Sequence, residues 1–163
     1  MNRRFLTALA ILALAAVFAS ALPQPGFAQS NPRIGTWKLN LAKSTYSPGP
    51  PPRSQTILSE PVGQGLRGTT ESIDAQGNPA KGIFGPYLFD GKSYPVTGNP
   101  AFDAVSLKQV NDSTVEQTRT KAGKVVQTTT DVISADGKTW TLTTTGVDAN
   151  GQPINNVSVY DKQ

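Results

Sequence analysis

The stretch "RIGTWKLN", residues 33–40, is a short amphipathic segment. In it Trp37 and Leu39 alternate with Thr36 and Lys38. Successive side chains of a β-strand point to opposite faces of a sheet, so this alternation predicts one strand with an apolar face. The question it raises is whether the rest of the chain supplies partners for that face.

Beyond residue 31 the chain repeats this kind of segment, with turn residues between the repeats. The pairs Asp90-Gly91 and Asp136-Gly137 supply the positive φ angles that tight hairpins need. No window has a sustained apolar period of 3.6 residues, so we expect few helices. The predicted strands are Thr36–Asn40, Ser54–Glu60, Leu66–Ile73, Ala80–Phe89, Ala104–Val110, Thr114–Lys121, Lys124–Ile133, Thr139–Val147 and Ile154–Tyr160.

Alternation within these strands predicts one apolar and one polar face on consecutive hairpins. Such strands bury their apolar faces in a barrel or between two sheets, and closure of a barrel also removes the exposed edges. We therefore predict an all-β fold, a single antiparallel meander of about eight to ten strands in a closed barrel. The predicted core is Trp37, Leu39, Ile57, Ile83, Leu107, Val115, Val126, Trp140, Leu142, Val157 and Val159.

The N-terminal segment has the three parts of a secretory signal peptide. Arg3 and Arg4 precede an apolar run over residues 5–18, and small residues follow up to Ala28. A permanent membrane anchor is the alternative, but the apolar run is shorter than the roughly 20 residues that a membrane span needs.

We accordingly predict a signal peptide at 1–28 and a β-barrel domain at 29–163. Cleavage is expected after Ala28, with Ala21 as a second site. The barrel domain is then periplasmic or secreted. An outer-membrane barrel needs a lipid-facing apolar band and aromatic girdles, whereas aromatic residues make up 7% of this chain, so we expect no stable membrane insertion after cleavage.

Composition excludes most familiar kinds of catalytic site. The 163 residues include no cysteine and no histidine, which removes the usual zinc sites and the Ser-His and Cys-His nucleophile systems. We expect no metal, no cofactor and no catalytic residues, with an enzyme of unfamiliar type based on Asp131 or Glu116 as the alternative.

The charge balance is too weak for a nucleic-acid binder. The net charge falls from +4 to +2 without residues 1–28, because Arg3 and Arg4 are the charged residues of that segment. Proteins that bind nucleic acid usually carry a concentrated basic patch, so we expect no nucleic-acid partner.

A proline-rich segment, "STYSPGPPPRS" at 44–54, interrupts the strands. Its prolines favour an extended path without ladder donors. We interpret it as a stiff crossing between the first strand and the rest, with Tyr46 packed onto the barrel. A Pro-x-x-Pro peptide ligand is the alternative.

Two turns have nearly the same sequence, "IDAQGNP" at 73–79 and "VDANGQP" at 147–153. A duplicated half-barrel is one explanation, and the same hairpin geometry selecting the same residues is the one we prefer. Neither turn has the bidentate acid that a calcium loop needs, whereas turn capping by Asp74 and Asp148 accounts for both.

Two groups of side chains are candidates for a binding site. Gln117, Arg119, Gln127 and Asp131 share a face of two predicted strands; that face is either a polar pocket in the lumen or a solvated sheet surface, which we prefer. Aromatic residues around Gly85-Pro86 form either a mouth or core packing. The candidate ligand-binding residues are Tyr87, Phe89, Arg119 and Tyr160.

Gly35-x-Trp37 in "GTWKL" resembles the start of the lipocalin and fatty-acid-binding-protein (calycin) superfamily. The end of the chain, "VYDK" at 159–162, resembles that family's last strand, which returns beside the first. "GTWKLN" with "PGPPP" is also similar to small exported bacterial lipocalin-like proteins of unknown function. The resemblance implies a barrel whose closed end is plugged by Trp37 against a basic residue, Lys162 or Arg33.

The sequence departs from that family where fatty acids bind. The family's Arg-x-Tyr carboxylate clamp on the last strand has Ser158 at the Arg position, before Tyr160, and the proline-rich segment replaces the helical lid. The resemblance therefore supports the fold and not fatty-acid binding.

These observations give two hypotheses of function. The first is an exported lipocalin-like binding protein that holds a small apolar or amphiphilic ligand. The alternative is a ligand-free envelope interaction or stress-related barrel module, filled by its own side chains. A cavity of several hundred Å³ favours the first hypothesis, and a filled interior favours the second.

Overall fold

Ten strands form a closed antiparallel barrel in the computed structural model, which describes residues 31–163. Each strand pairs with its neighbours in sequence, which confirms the predicted all-β meander. The predicted signal peptide at 1–28 lies outside the described residues. The strands are β1 (Gly35–Leu39), β2 (Ser54–Val62), β3 (Gly65–Ile73), β4 (Pro79–Tyr87), β5 (Asp90–Thr97), β6 (Ala104–Gln109), β7 (Thr114–Lys121), β8 (Lys124–Ile133), β9 (Thr139–Val147) and β10 (Pro153–Lys162).

Closure depends on the pairing of the first and last strands. Trp37 pairs with Lys162, and Leu39 pairs with Tyr160. β1 therefore lies between β10 and β2 and covers what would otherwise be two unpaired sheet edges.

The sequence did not predict β5, because the predicted strand 80–89 was followed directly by a turn. β5 contains Gly91 and Pro95 and has one buried apolar residue, Val96, so it has no regular alternation. It is joined to β4 at two register pairs, between 83 and 97 and between 84 and 96. The β4–β5 seam is thus much shorter than the ladders around it.

The core consists of two clusters of buried side chains. One lies around Trp37 and Trp140, whose rings meet edge to face at 5.4 Å. The other lies on the opposite wall, where Val105 and Val115 are each 1% exposed. The remaining buried members are Leu39, Ile57, Ile133, Leu142 and Tyr160 in the first cluster and Leu66, Tyr87, Val96, Phe102 and Leu107 in the second.

Four predicted core residues are not buried members of either cluster, and one of them, Val126, is partly buried and packs against the second. Ile83 is 38% exposed on the outer face of β4. On β10 the predicted inner face was wrong, because Ser158 and Tyr160 face the cavity and Val157 and Val159 point away from it, although Val159 is buried as predicted. Because both faces of β10 carry apolar residues, alternation gave no basis for choosing between them.

The chain that follows β1 continues along the edge of β10. A single turn of 3-10 helix, Leu41–Lys43, contacts β10, and the Asn40 amide donates to the Val159 carbonyl at 2.8 Å. No helix within residues 31–163 is long and apolar enough to cross a membrane.

The proline-rich segment joins β1 to β2 along the side of β10, as expected. Thr45 forms a β-bridge with Val157. The Tyr46 ring packs against the tryptophan cluster, and its hydroxyl is 2.9 Å from Ser158 Oγ. The interpretation that this segment crosses the barrel with Tyr46 packed onto it is confirmed.

The two similar turns have the same cap. Asp74 Oδ1 accepts a hydrogen bond from the amide of Asn78 at 2.8 Å, and Asp148 Oδ1 accepts one from the amide of Gln152 at 2.9 Å. Capping by the aspartates is confirmed, and this shared geometry accounts for the sequence likeness.

A buried ion pair closes one end of the barrel. The Arg33 guanidinium donates to Asp131 Oδ1 through Nε at 3.0 Å and Nη2 at 2.9 Å, and Nη2 also reaches the Ser113 carbonyl at 2.9 Å. Asp131 accepts two more hydrogen bonds, from Trp140 Nε1 at 2.7 Å and Gln117 Nε2 at 3.0 Å. The carboxylate is therefore fully satisfied although it is completely buried.

Trp37 lies beside this pair. Its indole Nε1 donates to the Arg33 carbonyl at 2.8 Å, and Lys162 Nζ lies 5.0 Å from its ring centroid. Both basic residues expected near Trp37 are in contact with it. We call this end of the barrel, with Arg33, Trp37 and Asp131, the closed end.

We expect Arg33→Met to lower the free energy of unfolding by about 3–5 kcal/mol, because it leaves the Asp131 carboxylate buried without its cation. Urea unfolding followed by tryptophan fluorescence measures this loss. The matched control is Lys81→Met, which removes the exposed Lys81–Glu71 pair at 2.8 Å and should cost less than about 1 kcal/mol. Equal losses in the two variants would contradict the role given to the buried pair.

Candidate functional site

The interior of the barrel contains a cavity of about 420 Å³. It extends from the tryptophan cluster to the end of the barrel opposite the closed end. There it is bordered by the exposed residues Ala80, Gly98 and Pro100, so it is open to solvent. We call this end the mouth.

Small residues on two adjacent strands create the space. On the inner face of β3 lie Gly68, Thr70 and Ser72, and on the inner face of β4 lie Ala80 and Gly82. A barrel of this kind can be filled by its own side chains, and here the wall carries large ones, Phe84 and Tyr87, only in its part nearer the closed end. The small residues in the sequences of β3 and β4 therefore account for the cavity.

The buried inner part of the cavity is largely apolar, and the rest of its wall has both polar and apolar residues. Trp140, Leu107 and Tyr87, which are buried, form its inner part. Amide and hydroxyl groups lie among apolar residues such as Phe102 and Ile154 along the rest of the wall, as in sites that fix the orientation of a largely apolar ligand. These polar residues are Gln55, Thr70, Ser72, Asn99, Thr144, Asn156 and Ser158.

Arg119 on β7 borders the cavity, and its side chain contacts two glutamines. Its Nη1 donates to Gln127 Oε1 at 3.0 Å, and its Nη2 donates to Gln117 Oε1 at 3.3 Å. Each glutamine is oriented by its own amide group, because Gln127 Nε2 donates to the Val147 carbonyl and Gln117 Nε2 donates to Asp131. The amide oxygens are thereby fixed toward Arg119.

The Arg119 guanidinium also lies over an aromatic ring. Its Cζ is 4.9 Å from the centroid of Phe102, a distance at which a cation is attracted to the ring face. Burial lowers the pKa of Arg119 to about 10, against a smaller opposing effect of Tyr160 and Asp131. The side chain still carries its positive charge at neutral pH.

At the closed end, burial shifts the pKa of an acid, Asp131, in the opposite direction. Burial raises the pKa of the Asp131 carboxyl above its ordinary value, and the Arg33 charge and the hydrogen bonds offset part of that effect. Since Asp131 is 0% exposed and does not border the cavity, it stabilises the fold and orients Gln117.

Three of the four candidate ligand-binding residues lie on the cavity wall. They are Tyr87, Arg119 and Tyr160, and the Tyr160 hydroxyl donates to Gln55 Oε1 at 2.5 Å. Phe89 does not border the cavity: its ring packs against Tyr87 at 5.7 Å and lies 5.6 Å from Arg33 Cζ. Ligand contact by these residues stays a prediction.

The preferred interpretation of the polar face on β7 and β8 was wrong. Gln117, Gln127 and Asp131 are buried inside the barrel, and Arg119 is half-buried there. The outer face of the same strands carries Thr118, Thr128 and Thr130, which are also polar, so alternation alone did not show which face is inside.

Sequence reasoning also missed Phe102 and the connection 98–102 that borders the mouth. Phe102 follows the turn residues Gly98, Asn99 and Pro100 and precedes β6, so no periodic pattern includes it. An isolated aromatic after a turn was the available signal.

Comparisons with known proteins give no match, neither to a family model nor to a curated protein. Within residues 31–163, no group of three or more acidic side chains is placed to hold a metal ion. The cavity and its wall are therefore the structural features that bear on function.

A tyrosine hydroxyl in water has a pKa of about 10. We expect the hydroxyls of Tyr87 and Tyr160 to stay protonated in the folded protein well above that pH. Burial raises the pKa of both hydroxyls, because it disfavours the charged phenolate. Alkaline titration of tyrosinate absorbance should show these two only when the protein unfolds.

The control for this titration is the protein in urea, in which all four tyrosines should ionise with a midpoint near pH 10. The variant Tyr87→Phe/Tyr160→Phe should leave the native part of the curve unchanged. A native curve in which all four tyrosines ionise near pH 10 would be inconsistent with burial of the two.

Proposed function

We propose that this protein binds a small apolar or amphiphilic molecule inside its barrel. The observation that carries the proposal is the cavity of about 420 Å³ with an apolar inner part and an open mouth. Ligand pockets usually have volumes of about 300–1,000 Å³ and walls of mostly apolar residues with a few polar groups. A filled barrel module lacks such a space, so the cavity favours a binding protein.

We propose binding without catalysis. The sequence contains no histidine or cysteine to serve as base or nucleophile. Of the two carboxylates considered for an unfamiliar enzyme, Asp131 is engaged by Arg33, Trp140 and Gln117, and Glu116 is exposed outside the cavity. Neither is placed to act on a molecule in the cavity.

We also propose that the protein acts outside the cytoplasm, in the periplasm or as a secreted protein. The support is the sequence pattern of residues 1–28. The weak net charge of the remaining chain favours a small molecule over a nucleic acid as partner.

The direct experiment is mass spectrometry of small molecules released by denaturing the protein purified from its native host. A lipid or other metabolite present in a reproducible stoichiometric amount would support the proposal and give its chemical class. Protein whose native mass equals that of the polypeptide alone would argue for a ligand-free module.

We expect Gly68→Leu/Gly82→Leu to weaken binding of decanol at least about tenfold, because the two leucines occupy the cavity. A Cβ at either position makes only ordinary contacts: the closest atom is 3.6 Å away, on Phe84. Decanol affinity is measured by quenching or enhancement of tryptophan fluorescence, since Trp140 lies on the cavity wall.

The matched control is Thr69→Leu, which adds leucine to the outer face of the same strand. It should bind decanol like the wild type, and circular dichroism should show that both variants are folded. Unchanged decanol affinity in the double-glycine variant would place binding outside the cavity.

A further inference from the structure

The positive and negative charges of the side chains inside the barrel do not cancel. Arg33 and Asp131 neutralise each other at the closed end. Arg119 is a second cation, and among the described residues that border the cavity it is the only charged one. The interior therefore holds one positive charge in excess.

The partners of Arg119 are all neutral. Its two hydrogen bonds go to amide oxygens, and no carboxylate within residues 31–163 lies within 4.0 Å of it. Its Nε is buried and, in the described part of the chain, has no acceptor. The guanidinium is partly buried, so it has lost part of its hydration and has no anion in its place. An arginine held this way is suited to an anion that comes from outside the chain.

The position of Arg119 along β7 determines where in the barrel such an anion would bind. Arg119 is three residues before the β7–β8 turn at Ala122, whose amide donates to Asp103 next to Phe102. Phe102 covers the guanidinium and belongs to the connection that borders the mouth. Arg119 therefore lies toward the mouth, whereas the apolar part of the cavity, at Trp140 and Leu107, lies toward the closed end.

We infer that the ligand is an amphiphile with one anionic head group, which binds to Arg119 near the mouth, and an apolar tail that enters first and lies against Trp140. This inference rests on the proposed binding function and specifies the class of ligand and its direction in the barrel. Gln117 and Gln127 position the guanidinium, and Phe102 covers it.

The experiment compares decanoate with decanol, which have tails of the same length and differ in the charge of the head. For the wild type at neutral pH, decanoate should bind about 10- to 100-fold more tightly, the range expected of a charge-assisted hydrogen bond. Arg119→Met should remove this preference and keep decanol binding. Arg67→Met, which changes an exposed arginine on the outer face of β3, should keep the preference.

The direction of the ligand is tested with decanoate brominated either at its terminal carbon or next to the carboxylate. Both tryptophans lie toward the closed end, so bromine at the terminal carbon should quench their fluorescence more strongly. The reverse order would overturn the orientation.

The outcomes separate the two proposals. If neither decanoate nor decanol binds, the proposed function fails for this class of molecule and the inference fails with it. If both bind equally, or if Arg119→Met retains the preference for decanoate, binding stands and the anionic head group is wrong. If Arg119→Met does not fold, the Arg119 Nε–H resonance in wild-type NMR spectra decides: it should shift with decanoate and not with decanol, and equal response to both contradicts the inference.

Discussion

The ion pair between Arg33 and Asp131 is the interaction on which the rest of the arrangement depends. It joins the segment before β1 to β8, and through the Ser113 carbonyl it also holds the β6–β7 turn. Removing two charges from water is costly, and this pair is stabilised by its own two hydrogen bonds and by three more, with Ser113, Gln117 and Trp140. Asp131 in turn fixes Gln117, and Gln117 fixes Arg119, so the geometry of the closed end extends to the cavity wall.

The cavity results from a different constraint, the distribution of side-chain size around the barrel. The β9–β10 wall has Trp140, Leu142 and Tyr160, whereas the part of the facing β3–β4 wall toward the mouth has glycine, alanine and small hydroxyl residues. A solid core would need large residues on both walls. This chain instead fills its closed end with two tryptophans and leaves the space toward the mouth unfilled.

Sequence analysis predicted the fold better than the site. The bounds of β7, β8 and β9 agree with prediction, because turns such as Ala122-Gly123 and Asp136-Gly137 flank regular segments. β5 lacks that regularity and was missed. The sequence pattern does not show that Arg119 faces the interior, because threonines make the outer face of the same strands equally polar. Only closure of the barrel determines which face is inside. The contact of Arg33 with Asp131 joins residues 98 positions apart, which no local pattern shows.

The pairing of β1 with β10 also determines how the barrel is presented to its surroundings. The described chain both begins and ends at the closed end: Lys162 Nζ donates to the Pro32 carbonyl at 3.1 Å, and the Gln163 amide donates to Thr36 at 3.0 Å. Any polypeptide, tag or surface attached before Asn31 or after Gln163 is therefore joined to the face opposite the mouth. In a barrel tethered by either terminus the point of attachment and the opening are at opposite ends, so the attached group does not lie against the route by which molecules exchange with the solution.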